Sequence, residues 1–206
     1  MKNILWLTVL ALAMPMAAFA NGVDFSNSGG TLAGTKSGLS LTGSTLIAVN
    51  GLNGGGLITG NDLGSLSFST GALMAGGSLQ NGGTFAAGGS FTVNGNGTSG
   101  LPNGVIFQGT FSGPVTWTLV TLANGTHNYT LTGVVSGTLN TSGGGFFTDG
   151  VTVQLTINTG RGFFNGRVGI SSGDTNVAVP EPGSLGLLGT GLVGLAGLIR
   201  RKLKVG

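Results

Sequence analysis

The central part of the chain predicts an all-β fold, either an antiparallel β-sandwich of the jelly-roll-like kind or a β-barrel. Apolar and polar side chains alternate along several short segments, which is the period of a half-buried strand. Asn-Gly pairs lie between these segments, and Asn-Gly suits the positive φ angles of tight hairpin turns. No long amphipathic helical pattern occurs between the two ends of the 206-residue chain. Strands and turns in this arrangement are typical of sandwiches and barrels.

The individual strands can be located by the alternation. The segment "VTVQLTIN" at residues 151–158 puts four apolar side chains on one side and four polar ones on the other. The same pattern predicts strands at residues 105–113, 115–119 and 129–139, with weaker candidates at 39–49 and 167–170. We expect Trp117 to face inward. Turns are predicted at Asn53-Gly54, Asn81-Gly82, Asn103-Gly104, Asn124-Gly125 and Asn165-Gly166.

One stretch allows an alternative fold. Residues 76–93 read "GGSLQN", "GGTFAA" and "GGSFTV", a period of six. Short repeats of this kind are typical of a β-solenoid, in which each turn stacks on the last. The pattern has only three copies and fades on both sides, so we expect a glycine-kinked strand pair or an edge segment. A partial β-solenoid remains the alternative to the sandwich or barrel.

Composition excludes several functions. Charged residues make up 6% of the chain, against about 25% in an ordinary globular protein. Within residues 21–178, three basic residues stand against four aspartates, a net charge of −1. We therefore expect no nucleic-acid partner, because no basic patch is available. The absence of cysteine excludes disulfides, thiolate metal sites and cysteine nucleophiles within this chain.

No constellation of catalytic residues is evident. The one histidine, His127, lies in "ANGTHNY", where we expect a solvent-facing position beside a turn. The aspartates are far apart in turn-like contexts and are expected to bond their own backbone. No nucleophile-elbow motif and no spaced set of calcium ligands occurs. We therefore predict no enzyme, no cofactor and no metal site. The four aspartates are Asp24, Asp62, Asp149 and Asp174.

The N-terminal residues 1–20 have the features of a signal peptide. Lys2 supplies the positive charge, and a short apolar region follows it. Pro15 precedes Ala18-Phe19-Ala20, a small-x-small cleavage pattern. We predict cleavage after Ala20 by signal peptidase and export of the remaining chain.

The C-terminal residues 179–206 combine three features in order. Pro180, Glu181 and Pro182 form a strip that proline keeps extended. Residues 183–199 carry no charge and are just long enough to cross a bilayer as a helix. The basic residues that follow are expected to stay in the cytoplasm, which leaves residues 21–178 outside. These basic residues are Arg200, Arg201 and Lys202, with Lys204 after them.

At these residues the chain resembles bacterial proteins of the PEP-CTERM class. The resemblance covers residues 179–204, and the central domain at 21–178 resembles no family. It implies that an exosortase, a membrane enzyme similar to a transpeptidase, recognises Pro180-Glu181-Pro182. It also implies transient anchoring in the cytoplasmic membrane, followed by release to the cell surface or exterior, in bacteria that make exopolysaccharide.

Three functions remain open from the sequence. The first is a non-enzymatic surface or matrix protein associated with exopolysaccharide in a biofilm. If it binds sugars, Trp117 and Tyr129 are natural stacking residues, although both also suit a core. The second is a self-assembling, fibre-forming matrix protein, because strands with few charges leave sheet edges unprotected. The third is a polysaccharide-active enzyme, which needs two carboxylates close together.

Four asparagines begin an Asn-x-Ser/Thr sequence and could accept glycans in an exported chain. In a chain so rich in Asn, Ser and Thr, this number of matches is close to chance. They are Asn96, Asn124, Asn128 and Asn140.

Overall fold

The computed structural model describes residues 22–170 and 172–178. The predicted signal helix at 1–20 and the predicted membrane helix at 183–199 lie outside these residues. A 3₁₀ turn occupies Leu52–Gly54. The strands are β1 (Gly22–Ser28), β2 (Thr31–Thr35), β3 (Gly38–Asn50), β4 (Ile58–Ser69), β5 (Gly83–Phe85), β6 (Gly88–Asn96), β7 (Asn103–Phe111), β8 (Val115–Thr121), β9 (His127–Thr141), β10 (Gly144–Asn158), β11 (Arg167–Gly169) and β12 (Ser172–Ala178).

Eight of these strands form a closed barrel. Their order is β1-β12-β10-β9-β7-β6-β4-β3, and the pairing of β3 with β1 closes the ring. The pairings among the described residues are antiparallel throughout. The all-β prediction is confirmed, and of its two forms the structure is the barrel.

Two long strands each pair with two different strands along the same edge. In β3, residues 45–50 pair with β1 and residues 38–42 pair with β2. In β9, residues 135–139 pair with β7 and residues 127–132 pair with β8. The short strands β11 and β5 extend β2 and β8, which makes two wings. Leu73 and Met74 connect the wings by donating backbone hydrogen bonds to Lys36 and Thr84.

The barrel interior is filled as the alternation predicts. Val151, Val153, Leu155 and Ile157 of β10 are all buried, and the residues between them are exposed. Phe68, Phe91, Phe107 and Phe111 form what we call the phenylalanine cluster. Its rings lie 6.0–6.3 Å apart between centroids, mostly edge to face.

Glycines on the inner face of β9 make room for this cluster. A Cβ atom at Gly133 would lie 2.8 Å from the ring of Phe111. A Cβ atom at Gly137 would lie 2.6 Å from the Cα atom of Gly109 on β7. Neither distance is sterically tolerable, so the inward glycines allow a bulky ring and a neighbouring backbone to approach β9 closely.

A second aromatic group, the tryptophan cluster, consists of Trp117, Tyr129 and Phe164. Trp117 and Tyr129 stack with centroids 4.9 Å apart, and Phe164 meets Trp117 edge on at 5.4 Å. Trp117 is 1% exposed and Tyr129 is fully buried. The inward orientation of Trp117 is therefore confirmed. Trp117 and Tyr129 are therefore core residues. Their rings are not available to stack on a sugar.

Polar atoms of the tryptophan cluster hold two loops. Trp117 Nε1 donates to the carbonyl of Leu79 at 2.8 Å, and Tyr129 Oη donates to the carbonyl of Gln80 at 2.6 Å. Tyr129 Oη also accepts the backbone N–H of Phe164 at 3.0 Å. The segments around residues 79–80 and 164 are thus fixed to the core by hydrogen bonds.

One local prediction is wrong, and the alternative fold is excluded. Asn103-Gly104 is not a turn, because it begins β7 and pairs with Asn96 and Gly95 of β6. The turn lies just before it, where Gly97 and Gly100 have positive φ. The repeat at residues 76–93 does not form a solenoid, because β5 pairs with β8 whereas β6 pairs with β4 and β7. By contrast, Asn124-Gly125 does join β8 to β9.

Candidate functional site

A group of polar side chains covers the outer surface of three neighbouring barrel strands, and we call it the polar face. One row joins Asp24, Asn176 and Thr152, and the next joins Ser26, Asp174 and Gln154. Alternate residues of a strand face the same side, which places all six on the outside of the barrel. They line an open depression, and all are exposed except the half-buried Ser26.

Hydrogen-bond acceptors dominate the polar face. Asp24 accepts a hydrogen bond from the side-chain amide of Asn176. Asp24 and Asp174 are diagonal neighbours across the β1–β12 pair. The Cα atoms of residues in such positions lie roughly 7–8 Å apart. The three basic residues of the barrel, Lys36, Arg161 and Arg167, lie in a turn, in a loop and on β11 instead. The polar face is therefore negatively charged and rich in hydrogen-bonding groups.

The structure changes the interpretation of the aspartates. Asp24 and Asp174 were expected in turns, but each lies inside a strand between inward-facing neighbours. Asp62 lies on β4, and its Oδ1 accepts the N–H of Gly64 at 3.0 Å, which matches the expectation of a bond to local backbone. Asp149 belongs to β10. Of the four aspartates, the structure thus brings Asp24 and Asp174 together.

His127 is not solvent-facing as expected. It is 7% exposed because it begins β9 at an inward position, two residues before Tyr129. Its ring stacks on Phe163 at 4.2 Å, and its Nδ1 lies 3.3 Å from Thr121 Oγ1. Among the described residues, no group of three His, Asp or Glu side chains has the arrangement of a metal site.

The sorting residues lie outside the described part of the chain, and a comparison with protein-family models bears on them. Residues 178–202 match the model of the PEP-CTERM protein-sorting motif. The chain carries a PEP-CTERM sorting motif. The match includes the predicted Pro180-Glu181-Pro182 as well as Arg200, Arg201 and Lys202. No curated protein and no solved structure matches the chain.

This motif implies export and sorting at a membrane by an exosortase-type enzyme. It begins at Ala178, the last residue of β12. Within residues 22–170 and 172–178 there is no helix of the length and apolarity that a membrane span requires. The predicted span at 183–199 and the predicted cleavage site at Ala18 and Ala20 lie outside this range and stay predictions.

Proposed function

We propose that this chain is a non-enzymatic protein of the cell surface or extracellular matrix that binds exopolysaccharide through its polar face. An exosortase would sort it after signal peptidase has removed residues 1–20, and the tail would anchor it in the cytoplasmic membrane only briefly. The observation that carries the proposal is the polar face itself, on a barrel that bears a PEP-CTERM sorting motif.

The chemistry of the polar face suits a neutral or weakly charged glycan. Carboxylates accept hydrogen bonds from sugar hydroxyls, whereas the amides of Gln154 and Asn176 both donate and accept. Neighbouring side chains within a row are separated by the inter-strand spacing of about 4.8 Å, so an extended chain can contact several side chains at once. Since no exposed aromatic ring belongs to the polar face, we expect hydrogen bonds rather than stacking to supply the binding energy.

Gln154 and Gln108 provide a matched pair for testing the binding. Both are exposed glutamines on the outside of the barrel, but Gln108 lies on β7, away from the polar face. With exopolysaccharide from the same cells, we expect Gln154→Ala to weaken binding about fivefold, as loss of about 1 kcal/mol requires. Gln108→Ala should bind as the wild type does. Equal affinity for wild type, Gln154→Ala and Asp174→Asn would contradict the proposal.

A polysaccharide-active enzyme has one observation in its favour, the proximity of Asp24 and Asp174. Both carboxylates are exposed in an open depression, whereas a glycosidase holds the sugar chain between its two carboxylates. Release of reducing ends from exopolysaccharide by the wild type, but not by Asp24→Asn, would replace the binding proposal with this one.

A fibre-forming protein is the other alternative. Ring closure gives each of the eight barrel strands a partner on both sides, and closure of this kind removes sheet edges. The wings end in β11 and β5, which have three residues each. We therefore expect a monomer in sedimentation at increasing concentration. Concentration-dependent thioflavin binding would favour assembly instead.

The sorting step has its own test. Mass spectrometry of protein from native cells should find Asn21 at the N-terminus and no residues after roughly Val179. Deletion of the exosortase gene should restore the tail. An intact C-terminus in wild-type cells would contradict removal of the tail, but would leave the binding measurement unaffected.

A further inference from the structure

The four Asn-x-Ser/Thr sequences differ in their structural settings. Asn96 and Asn124 are exposed and lie at the end of β6 and in the β8–β9 turn. Asn128 and Asn140 lie within β9. Because an enzyme that modifies an asparagine must reach its side chain, the two exposed turn sites are more accessible than the two half-buried strand sites.

The two turn sites share one geometry. Asn96 Oδ1 accepts the N–H and the hydroxyl of Thr98 at 3.1 and 2.6 Å. Asn124 Oδ1 accepts the same two groups of Thr126 at 3.0 and 2.7 Å. A hydroxyl that donates to the amide oxygen stabilises the form of the amide in which the nitrogen has lost a proton. Both turns thus prepare the amide nitrogen for attack on an electrophilic carbon.

The amide nitrogens distinguish the sites. Asn96 Nδ2 donates to the backbone carbonyl of Asp62 at 2.9 Å, and Asn140 Nδ2 donates to that of Val105 at 3.0 Å. Asn128 differs from Asn124 on another ground, since it is half-buried within β9 and its Oδ1 accepts from Asn158 Nδ2 at 2.5 Å. Asn124 Nδ2 has no hydrogen-bond partner among the described residues, and Asn124 is exposed at the tip of a hairpin.

We propose that Asn124 is an N-glycosylation site. The co-reactant is a lipid-linked glycosyl diphosphate, and an oligosaccharyltransferase outside the cytoplasmic membrane catalyses the transfer. A bond forms between Asn124 Nδ2 and C1 of the sugar while the bond from C1 to the phosphate oxygen breaks. The lipid diphosphate leaves with the electron pair, and a carboxylate of the enzyme takes the proton from Nδ2. This proposal requires export but is independent of polysaccharide binding by the polar face.

Neighbouring features of the turn support access. The hairpin is closed by backbone hydrogen bonds from Leu122 to Thr126 and from Gly125 to Leu122. Residues 121–125 are all exposed. A Cβ atom built on Gly125 would meet no atom within 4 Å, so there is open space beside the acceptor. The turn can therefore carry a bulky glycan without disturbing β8 or β9.

The test is tandem mass spectrometry of full-length protein from native cells and of four variants expressed there. We expect a glycan on the Asn124 peptide, its complete loss in Asn124→Gln and Thr126→Ala, and its retention in Thr126→Ser, which keeps the hydroxyl. Asn96→Gln is the matched turn control and should keep the glycan. Thermal melts should show that all variants fold.

Three results would overturn the assignment. The first is an unmodified Asn124 peptide in the wild type. The second is a sugar that persists in Asn124→Gln, because it must then be attached to a hydroxyl or to another asparagine. The third is full modification in Thr126→Ala, which would show that the turn geometry plays no part.

Discussion

The phenylalanine cluster and the tryptophan cluster are both buried, but they stabilise the protein differently. The four phenylalanines contact one another through apolar surface alone. Trp117 and Tyr129 use their apolar faces in the same way, but their polar tips bind the backbone of Leu79, Gln80 and Phe164. In a chain with few charges, the phenylalanine side chains thus stabilise the barrel strands. The buried polar atoms of Trp117 and Tyr129 instead fix the loops.

The difference predicts a global effect in one region and a local effect in the other. Removing a phenylalanine leaves a cavity beneath the neighbouring barrel strands β4, β6 and β7, so the barrel as a whole loses stability. Removing a polar tip leaves loop groups without partners while the strands keep theirs. Substitutions in the two clusters can therefore separate these contributions.

Phe91→Ala is expected to have the largest effect. Phe91 is fully buried and contacts the three other rings of the phenylalanine cluster. We expect the free energy of unfolding to fall by about 3–5 kcal/mol, measured by urea denaturation. Phe163→Ala is the control, because Phe163 is 50% exposed. Equal losses in the two variants would show that the phenylalanine cluster is not the main support of the barrel.

Gly133→Ala tests the same cluster by adding volume. The new methyl group would lie 2.8 Å from the Phe111 ring, and overpacking of this kind costs about 1–3 kcal/mol. The double variant with Phe111→Leu should lose less stability than the two single losses combined, since a smaller side chain accommodates the methyl group. If the losses of stability in the double-mutant cycle are strictly additive, the new methyl group does not clash with the Phe111 ring.

Tyr129→Phe removes only the polar tip. We expect a loss of about 1–2 kcal/mol, because the N–H of Phe164 and the carbonyl of Gln80 lose their partner. Hydrogen exchange should increase around residues 79–80 and 164 but not in β10. Thr130→Val, on the outer face of the same strand, is the control. An increase in exchange spread over all strands would contradict the separation of ring and loop contributions.

Thr148→Val tests whether a buried polar group stabilises the fold only when it has a hydrogen-bond partner. Thr148 on β10 is fully buried, and its hydroxyl has no hydrogen-bond partner among the described residues. Replacing the hydroxyl by a methyl group should raise the free energy of unfolding by about 1 kcal/mol. A lower midpoint in urea would indicate that the hydroxyl has an interaction in solution. Thr152→Val, exposed on the same strand, should change stability less.

Strands with a regular alternation could be predicted from the sequence because the signal is local. Residues 129–139 and 151–158 are examples, and both have the predicted face buried. β4 was missed because its pairing with β3 shifts register twice, which breaks the alternation. A local sequence pattern also could not distinguish a barrel from a sandwich. That distinction depends on the pairing of β1 with β12, which lies at the far end of the barrel domain.

The polar face could not be predicted for the same reason. Asp24 and Asp174 come from the first and last strands of the barrel, and Asp is common in turns. A signal was nevertheless present, since Val23 and Phe25 alternate with Asp24 and Ser26 in the manner of a half-buried strand. His127 was misplaced because the turn at Asn124-Gly125 is followed at once by β9. The sorting motif, by contrast, is a contiguous pattern, and the family match agrees with it.

The position of β12 also determines when this protein can finish folding. β12 lies between β1 and β10, so the last seven residues of the barrel domain complete the ring. A ribosome makes these residues after every other strand, and the contacts of β1 span nearly the whole domain, which slows folding. The nascent barrel must therefore remain open until residue 178 has been synthesised, and the sorting signal follows without a spacer. The barrel therefore cannot close until the residues next to the sorting motif are available to pair with β1 and β10.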